Sequence, residues 1–263
     1  MEREPVKAVL ETDSSKKFIA ADALTADFEQ NIDSLSSAFT RYGTKLRRRA
    51  LRDDLSVLRK IGSGLQYTVY DLGNGRVFKR PATFLESYVR IFAWRFPFRK
   101  TSIWDVTREI RQKRARAALS LEWVRPLLPR ISRELGNPVL HADLSYEQDR
   151  AVVVNDYLRN HTLAENKELV DRYVATLLRF WEHGFNDRTC SFCLNFGVDE
   201  TGAVILLDLG ELYFEKDTAR QRVRLGHWRD VHIDDDVLNA YYRGAMKTAM
   251  TEANVEMYWG RAL

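Results

Sequence analysis

The chain has 263 residues, enough for one large domain or two small lobes around a substantial core. Lys and Arg number 41 against 37 Asp and Glu, a modest formal excess of +4 in a composition ordinary for a soluble globular protein. Cys190 and Cys193 are too few for a disulfide scaffold and fit a reducing compartment. No apolar run reaches the ~18–20 residues that span a bilayer, and the N-terminus lacks the apolar stretch of a secretory signal, so a cytoplasmic protein is expected.

Residues 1 to about 27 are polar and weakly patterned. Residues 28–53 read as helical and end in a basic run, Lys45, Arg47, Arg48, Arg49 and Arg52, read as a solvated face. From Ser56 the pattern turns to period two. Val57–Ile61, Tyr67–Tyr70 and Arg76–Lys79 predict a three-stranded meander, with Gly62-Ser63-Gly64-Leu65 as its first turn. Asn74-Gly75 marks the second turn, because a type I′ hairpin needs positive φ at both central residues. Arg80-Pro81 should end the third strand, since proline cannot donate to a ladder.

Residues 84–100 are aromatic and basic and read as an insert packed on the lobe beside it. Residues 103–120 predict a strongly basic helix with Glu109 as its interior acid. Nine Lys or Arg lie between Arg90 and Arg116 against two acids, a candidate surface for an acidic or anionic partner. Pro138–Leu144 and Ala151–Val154 predict two further strands that close a five-stranded antiparallel sheet, and Asn155–Asn160 a connector. Residues 166–183 carry Val170, Tyr173, Val174, Leu177, Leu178 and Trp181 at helical spacing, with Gly184 just beyond the end. A loop, a short strand at Phe196–Val198 and a turn then lead into Val204-Ile-Leu-Leu-Asp-Leu-Gly-Glu211, an apolar strand delivering Asp208 to its mouth. The remainder reads as helical, with Val237, Leu238, Tyr241 and Tyr242 on one face.

A glycine-rich strand turn, a strand-borne lysine, a helical acid, an asparagine and an Asp-x-Gly follow one another in fixed order. That order resembles the protein-kinase-like superfamily over roughly residues 55–215. The resemblance implies an α+β, bilobal protein-kinase-like fold, with a five-stranded antiparallel N-lobe sheet, one main helix and a small, mostly helical C-lobe. Its bounds would be an extension at 1–54, an N-lobe at 55–157 and a C-lobe at 158–263. It implies ATP and Mg²⁺ as cofactors. Gly62 and Gly64 would let backbone N–H groups cover the phosphates, and Lys79 would contact them, held by Glu109, with Glu86 the rival partner. Asp156 and Leu158 would meet the adenine edge through the connector. Asn195 and Asp208 would hold the metal.

The family's base usually precedes the metal asparagine by five residues, a position held here by Cys190. Asp187 lies eight residues before Asn195, in His183-Gly-Phe-Asn-Asp187. Two readings stand: a lengthened loop that still delivers Asp187, or a pseudokinase that binds nucleotide as a regulator. The segment after Gly210 is short and carries no Ala-Pro-Glu anchor. This favours transfer of the γ-phosphoryl to a hydroxyl of a small molecule or glycolipid, or a minimal protein kinase. A rival from another class is a basic module binding nucleic acid or a membrane surface. Cys190-x-x-Cys193 lacks a second cysteine pair for zinc and reads as two free thiols near the loop.

Overall fold

The structure, a computed structural model, describes residues 58–95 and 102–263, and Leu58–Leu263 form one unit. The polar extension, the basic run at 45–52 and the end of the aromatic insert lie outside the described residues. Strands β1 (Arg59–Ser63), β2 (Tyr67–Asp71) and β3 (Arg76–Pro81) pair as the expected antiparallel meander. Val77, Phe78 and Lys79 are all buried on β3. The turn between β2 and β3 closes with the Leu72 N–H on the Arg76 carbonyl at 3.1 Å. Positive φ falls at Gly73 and Gly75, so the left-handed residues are those two glycines and not Asn74. Pro81 belongs to β3, at its last position, where its missing N–H interrupts nothing further.

Helix α1 (Phe84–Arg95) covers the start of the expected insert, and α2 (Ile103–Val124) runs four residues beyond its expected end. Ser102 caps α2 by accepting the Trp104 N–H at 3.2 Å. Val106, Ile110, Ala117, Leu121 and Val124 bury one stripe of it. Short helical turns between 125 and 135 return the chain to β4 (Val139–Leu140) and β5 (Tyr146–Asp149).

The first sheet has five antiparallel strands in the order β1-β2-β3-β5-β4, and its membership corrects the sequence expectation. Its fifth strand is Tyr146–Asp149, which pairs with both β3 and β4. Ala151–Val153 forms β6 of a separate three-stranded sheet with β8 (Phe196–Asp199) and β9 (Val204–Leu206). The polar sequence Tyr-Glu-Gln-Asp hides β5 because its inward residue Gln148 is itself polar. Gln148 is fully buried, and its Nε2 donates to the Leu135 carbonyl at 2.7 Å and the Leu206 carbonyl at 2.5 Å. One amide thus ties the first sheet to the second. Gly136 makes room for it: φ is +66° there, and a Cβ would lie 2.8 Å from the Gln148 side chain.

The expected connector is a helix, α3 (Val154–Asn160). Helix α4 (Leu163–Glu182) starts with a capping box in which the Thr162 N–H meets Glu165 at 2.8 Å. It buries Leu169, Val170, Tyr173, Leu177, Phe180 and Trp181. Each such side chain contributes roughly 1.5–3 kcal/mol on burial. Tyr173 sits 4.5 Å from Phe192, 4.8 Å from Phe196 and 6.4 Å from Tyr242 between ring centroids. Phe192 opens α5 (Phe192–Asn195), so this aromatic stack forms the floor under the 186–195 loop. Strand β7 (Asn186–Asp187) pairs with β10 (Leu212–Tyr213), an element absent from the sequence reading. Helices α6 (Lys216–Leu225), α7 (Asp236–Ala249) and α8 (Glu252–Tyr258) complete the chain. Leu238 and Tyr242 are buried, whereas Val237 is exposed on the other side of α7.

Replacing Gln148 by Leu leaves two buried carbonyls without donors, each costing about 1–3 kcal/mol. Gln148→Leu should lower the unfolding free energy in urea by about 2–4 kcal/mol, with no change in the far-ultraviolet spectrum of the folded state.

Candidate functional site

Four residues singled out in the sequence come together where the end of β9 faces the first sheet. Lys79 leaves β3 only 7% exposed. Its ammonium donates to the Leu207 carbonyl and lies 5.4 Å from the centroid of the Tyr146 ring. Burial lowers its pKa to about 8, and the neighbouring Asp208 pulls the other way. Leu207 is the hinge of this corner. Its carbonyl also accepts from the Tyr146 hydroxyl at 3.2 Å, and its N–H donates to the Asn195 carbonyl at 2.7 Å.

Asp208 is partly exposed, with Oδ1 accepting the Gly210 N–H at 2.9 Å. Burial pushes its carboxyl up, while the Gly210 N–H and Lys79 offset part of that rise. Asp187 is wholly buried at the end of β7, and its pKa is raised to about 6, chiefly by burial. Asp208 and Glu211 raise it further, and the Thr189 hydroxyl, donating to Oδ2 at 2.8 Å, opposes them. Asn195 Nδ2 donates to Thr189 Oγ1 at 2.7 Å and to Asp187 Oδ1 at 3.4 Å. The longer Asp-to-Asn interval is thus bridged by a threonine hydroxyl. It is made compact by Cys190, which takes a left-handed φ of +47°.

Among the described residues, Asp208 Oδ2 and Asn195 Oδ1 accept no hydrogen bond. Asp208 and Glu211 both raise the proton affinity of Asp187, and Glu211 raises that of Asp208. An oxygen donor set with an excess of mutually repelling carboxylates fits a hard divalent cation such as Mg²⁺. No group of three or more His, Cys, Asp or Glu forms a metal cage among the described residues. Cys190 and Cys193 are both free thiols, and burial pushes Cys190 up to about 12 and Cys193 to about 11, which disfavours the thiolate form.

Two expectations are corrected. Lys79 makes no ion pair with Glu109; its partners are Leu207, Tyr146 and the field of Asp208. Glu109 is half-buried on α2, and one turn later Lys113 is the side chain that reaches across. Lys113 Nζ donates to Glu211 Oε1 at 2.9 Å, so the helix offers a cation to the Asp-Leu-Gly-Glu segment instead of an anion to Lys79. Glu86 is engaged elsewhere: Arg80 at 2.7 Å and the Thr83 N–H at 2.6 Å hold its carboxyl at about 2. The second correction concerns Asp156 and Leu158, which lie inside α3 instead of on an extended connector. Asp156 is exposed toward Arg159, and the Leu158 carbonyl is taken by Asn166 Nδ2 at 3.0 Å. The Asp156 carbonyl is likewise taken, by Asn160 Nδ2 at 2.7 Å.

Gly62 lies within β1, opposite Val69, and Gly64 in the turn after it, neither at positive φ, and a Cβ at Gly64 would meet nothing within 4 Å. Packing therefore does not demand glycine at position 64. Arg90 of α1 fixes this turn by donating to the Gly64 carbonyl at 2.7 Å and Thr68 Oγ1 at 2.8 Å. Gln66 donates to the same Glu211 Oε1 as Lys113, at 2.7 Å. Gly210 is needed for that approach, because a Cβ there would lie 2.5 Å from Gln66 Oε1 and 3.3 Å from the Ala117 Cβ. Glu211, Lys113, Gln66 and Thr189 were missed in the sequence. Only Glu211, adjoining Asp-Leu-Gly, carried a positional signal.

No protein-family model matches this sequence, and no curated protein is similar to it. Solved structures with a likeness of fold include Rio2 kinase from Chaetomium thermophilum, an ADP/Mg²⁺-phosphoaspartate complex. It is 16% identical over 81% of this chain and 69% of that one, with a TM-score of 0.43. The bifunctional kinase-methyltransferase WbdD is 13% identical over 72% of this chain and 46% of its own, with a TM-score of 0.37. This chain therefore spans less than half of WbdD. Rv3197 of Mycobacterium tuberculosis, solved with erythromycin, is 15% identical over 90% of this chain and 68% of that one, with a TM-score of 0.38. These likenesses concern the fold alone, and with TM-scores below 0.5 they carry no functional weight.

Proposed function

We propose that the chain is an ATP- and Mg²⁺-dependent, kinase-like phosphotransferase that moves the γ-phosphoryl group to a hydroxyl of an acceptor. The observation that carries this reading is the convergence of Lys79, Asp187, Asn195 and Asp208 on one corner, delivered by four separate elements. Lys79 would orient phosphate oxygens, its ammonium desolvated and so electrostatically strong. Asn195 Oδ1 and Asp208 Oδ2 would hold Mg²⁺, which supplies charge neutralisation to those oxygens when bound. Gly62 and Gly64 would admit a phosphate close to the backbone, consistent with the open space above Gly64.

Asp187 would take the acceptor's proton. As its carboxylate accepts that proton, the hydroxyl oxygen bonds to the γ-phosphorus, and the bridge to the β-phosphate breaks with its electron pair leaving on ADP. A base with a pKa of about 6 is largely ionised at neutral pH while retaining useful basicity. The seat of the Lys79 ammonium on the Leu207 carbonyl favours a second reading, a nucleotide-binding regulator without transfer.

Mg·ATP should raise the Tm, and Lys79→Met and Asp208→Asn should each abolish most of that rise. Absence of any Mg·ATP shift, with a salt-sensitive shift by polyanions instead, would replace this reading with the basic interaction module. In the transferring enzyme, kcat/KM should climb through about pH 6 as Asp187 ionises and fall above about pH 8 as Lys79 loses its proton. Asp187→Asn should cost roughly 10²–10⁴-fold in rate and remove the acid limb. Wild-type rates in that variant would take Asp187 out of the mechanism, and no transfer by either protein would leave the regulator.

The same variant has an opposite effect on stability. Asp187 binds a proton more tightly in the folded chain than in the unfolded one. Its ionisation therefore costs stability above about pH 6, and the cost disappears as the pH falls below about 4. Asp187→Asn should be more stable than wild type by on the order of 2–3 kcal/mol at pH 7.5 without Mg²⁺ or nucleotide, with the difference shrinking toward pH 4. Urea unfolding at the two pH values measures it.

A further inference from the structure

Beside the Asp187 corner lies a cavity of about 570 Å³, the size of a small-molecule site. Thr189, the hydroxyl that bridges Asp187 and Asn195, is part of its wall, and so is Glu211. The cavity therefore reaches the hydroxyl that bonds Asp187, with Thr189 standing between the cavity and the buried carboxyl. Its charge is distinctive. Arg188, the residue directly after Asp187, and Arg222 of α6 both line it.

Neither arginine has an ion pair among the described residues. Arg222 spends one Nη on the Arg188 carbonyl. The Arg188 Nε is buried with no hydrogen-bond partner. A third guanidinium, Arg116 of α2, adds to the crowding: burial, Arg222 and Arg116 all depress the Arg188 pKa, against Glu215 and Glu211. Of those two acids, Glu211 is already committed to Lys113 and Gln66. Elsewhere on the wall, His227 faces Asp230 at 3.7 Å, and His232 faces Asp234 at 3.7 Å outside it. Arg188 and Arg222 are the two guanidiniums of the wall, and neither has a carboxylate within ion-pair distance among the described residues.

Crowded guanidiniums with an idle buried donor are arranged for an oxyanion. Their planar forks match a phosphate bidentately, and two of them without carboxylate partners suit a dianion better than a single carboxylate. We propose that this cavity binds a phosphate group carried by the acceptor, gripped by Arg188 and Arg222, so that the acceptor is a phosphorylated small molecule presenting a hydroxyl to Asp187. The assignment of the acceptor rests on the phosphotransferase reading; the anion site itself does not.

The test measures binding by thermal stabilisation at matched ionic strength, with inorganic phosphate, glycerol 3-phosphate and acetate as probes. Wild type should bind the two phosphates at least tenfold more tightly than acetate. Arg188→Gln and Arg222→Gln should each weaken phosphate binding at least tenfold while leaving Mg·ADP affinity within about twofold. Arg243→Gln, on α7, serves as the control and should bind as wild type does. Circular dichroism confirms folding, and should either variant fail to fold, the other decides. Phosphate affinity that equals acetate affinity, or that survives both substitutions, overturns the proposal even where Mg·ADP binds. Arginine-dependent phosphate binding without any Mg·ATP binding would retain the anion site and overturn the phosphotransferase reading, and with it the acceptor assignment.

Discussion

The ammonium of Lys79 is the constraint around which the site is built. A desolvated lysine needs its proton stabilised by neighbours, and a bare buried ammonium would cost several kcal/mol. Here the Leu207 carbonyl, the face of Tyr146 and the charge of Asp208 share that task. Each partner drags an element with it. Tyr146 belongs to the first sheet, Leu207 ends the apolar run of β9, and the Leu207 N–H holds the Asn195 carbonyl. Solvating one cation inside the protein therefore joins both sheets and the 186–195 loop.

The acids oppose this arrangement. Asp187, Asp208 and Glu211 crowd together, and burial is the chief cause that raises the Asp187 pKa to about 6. Only Glu211 has a close ion pair, with Lys113. The corner is stable as a compromise: one acid neutralised by a helix lysine, one steadied by a backbone N–H and the field of Lys79, and one held by neutral donors from Thr189 and Asn195. Such sites are where local stability is given up for chemistry, since the same groups pack more comfortably when uncharged.

Elements carried by apolar period were legible in the sequence. The meander, α2 and α4 announced themselves through alternation or a 3.6-residue stripe, and the α+β arrangement follows from them. β5 was invisible because its buried position is a glutamine, whose value lies in two carbonyls distant in sequence. β7 and β10 are two residues each and rest on pairing, not composition. In the site, the strand lysine and Asp-x-Gly could be read because each sits at a recognisable chain position. The role expected for Glu109 could not be tested that way. Residues 109 and 113 lie on one helix face, and only the crossing of α2 decides which of them meets a partner. The position of Asp187 depended on the left-handed turn at Cys190, a conformation with no compositional signature.

Glu211 has a consequence beyond the charge it neutralises. A single carboxylate oxygen receives Gln66 from the glycine turn and Lys113 from α2, while its own backbone carbonyl receives the N–H that follows Asp187. The turn over the first sheet, the basic helix and the loop with the buried acid thus share one mechanical node. Displacing any of these three strains the other two. The mouth of the glycine turn and the loop of Asp187 are therefore physically contiguous through this one residue.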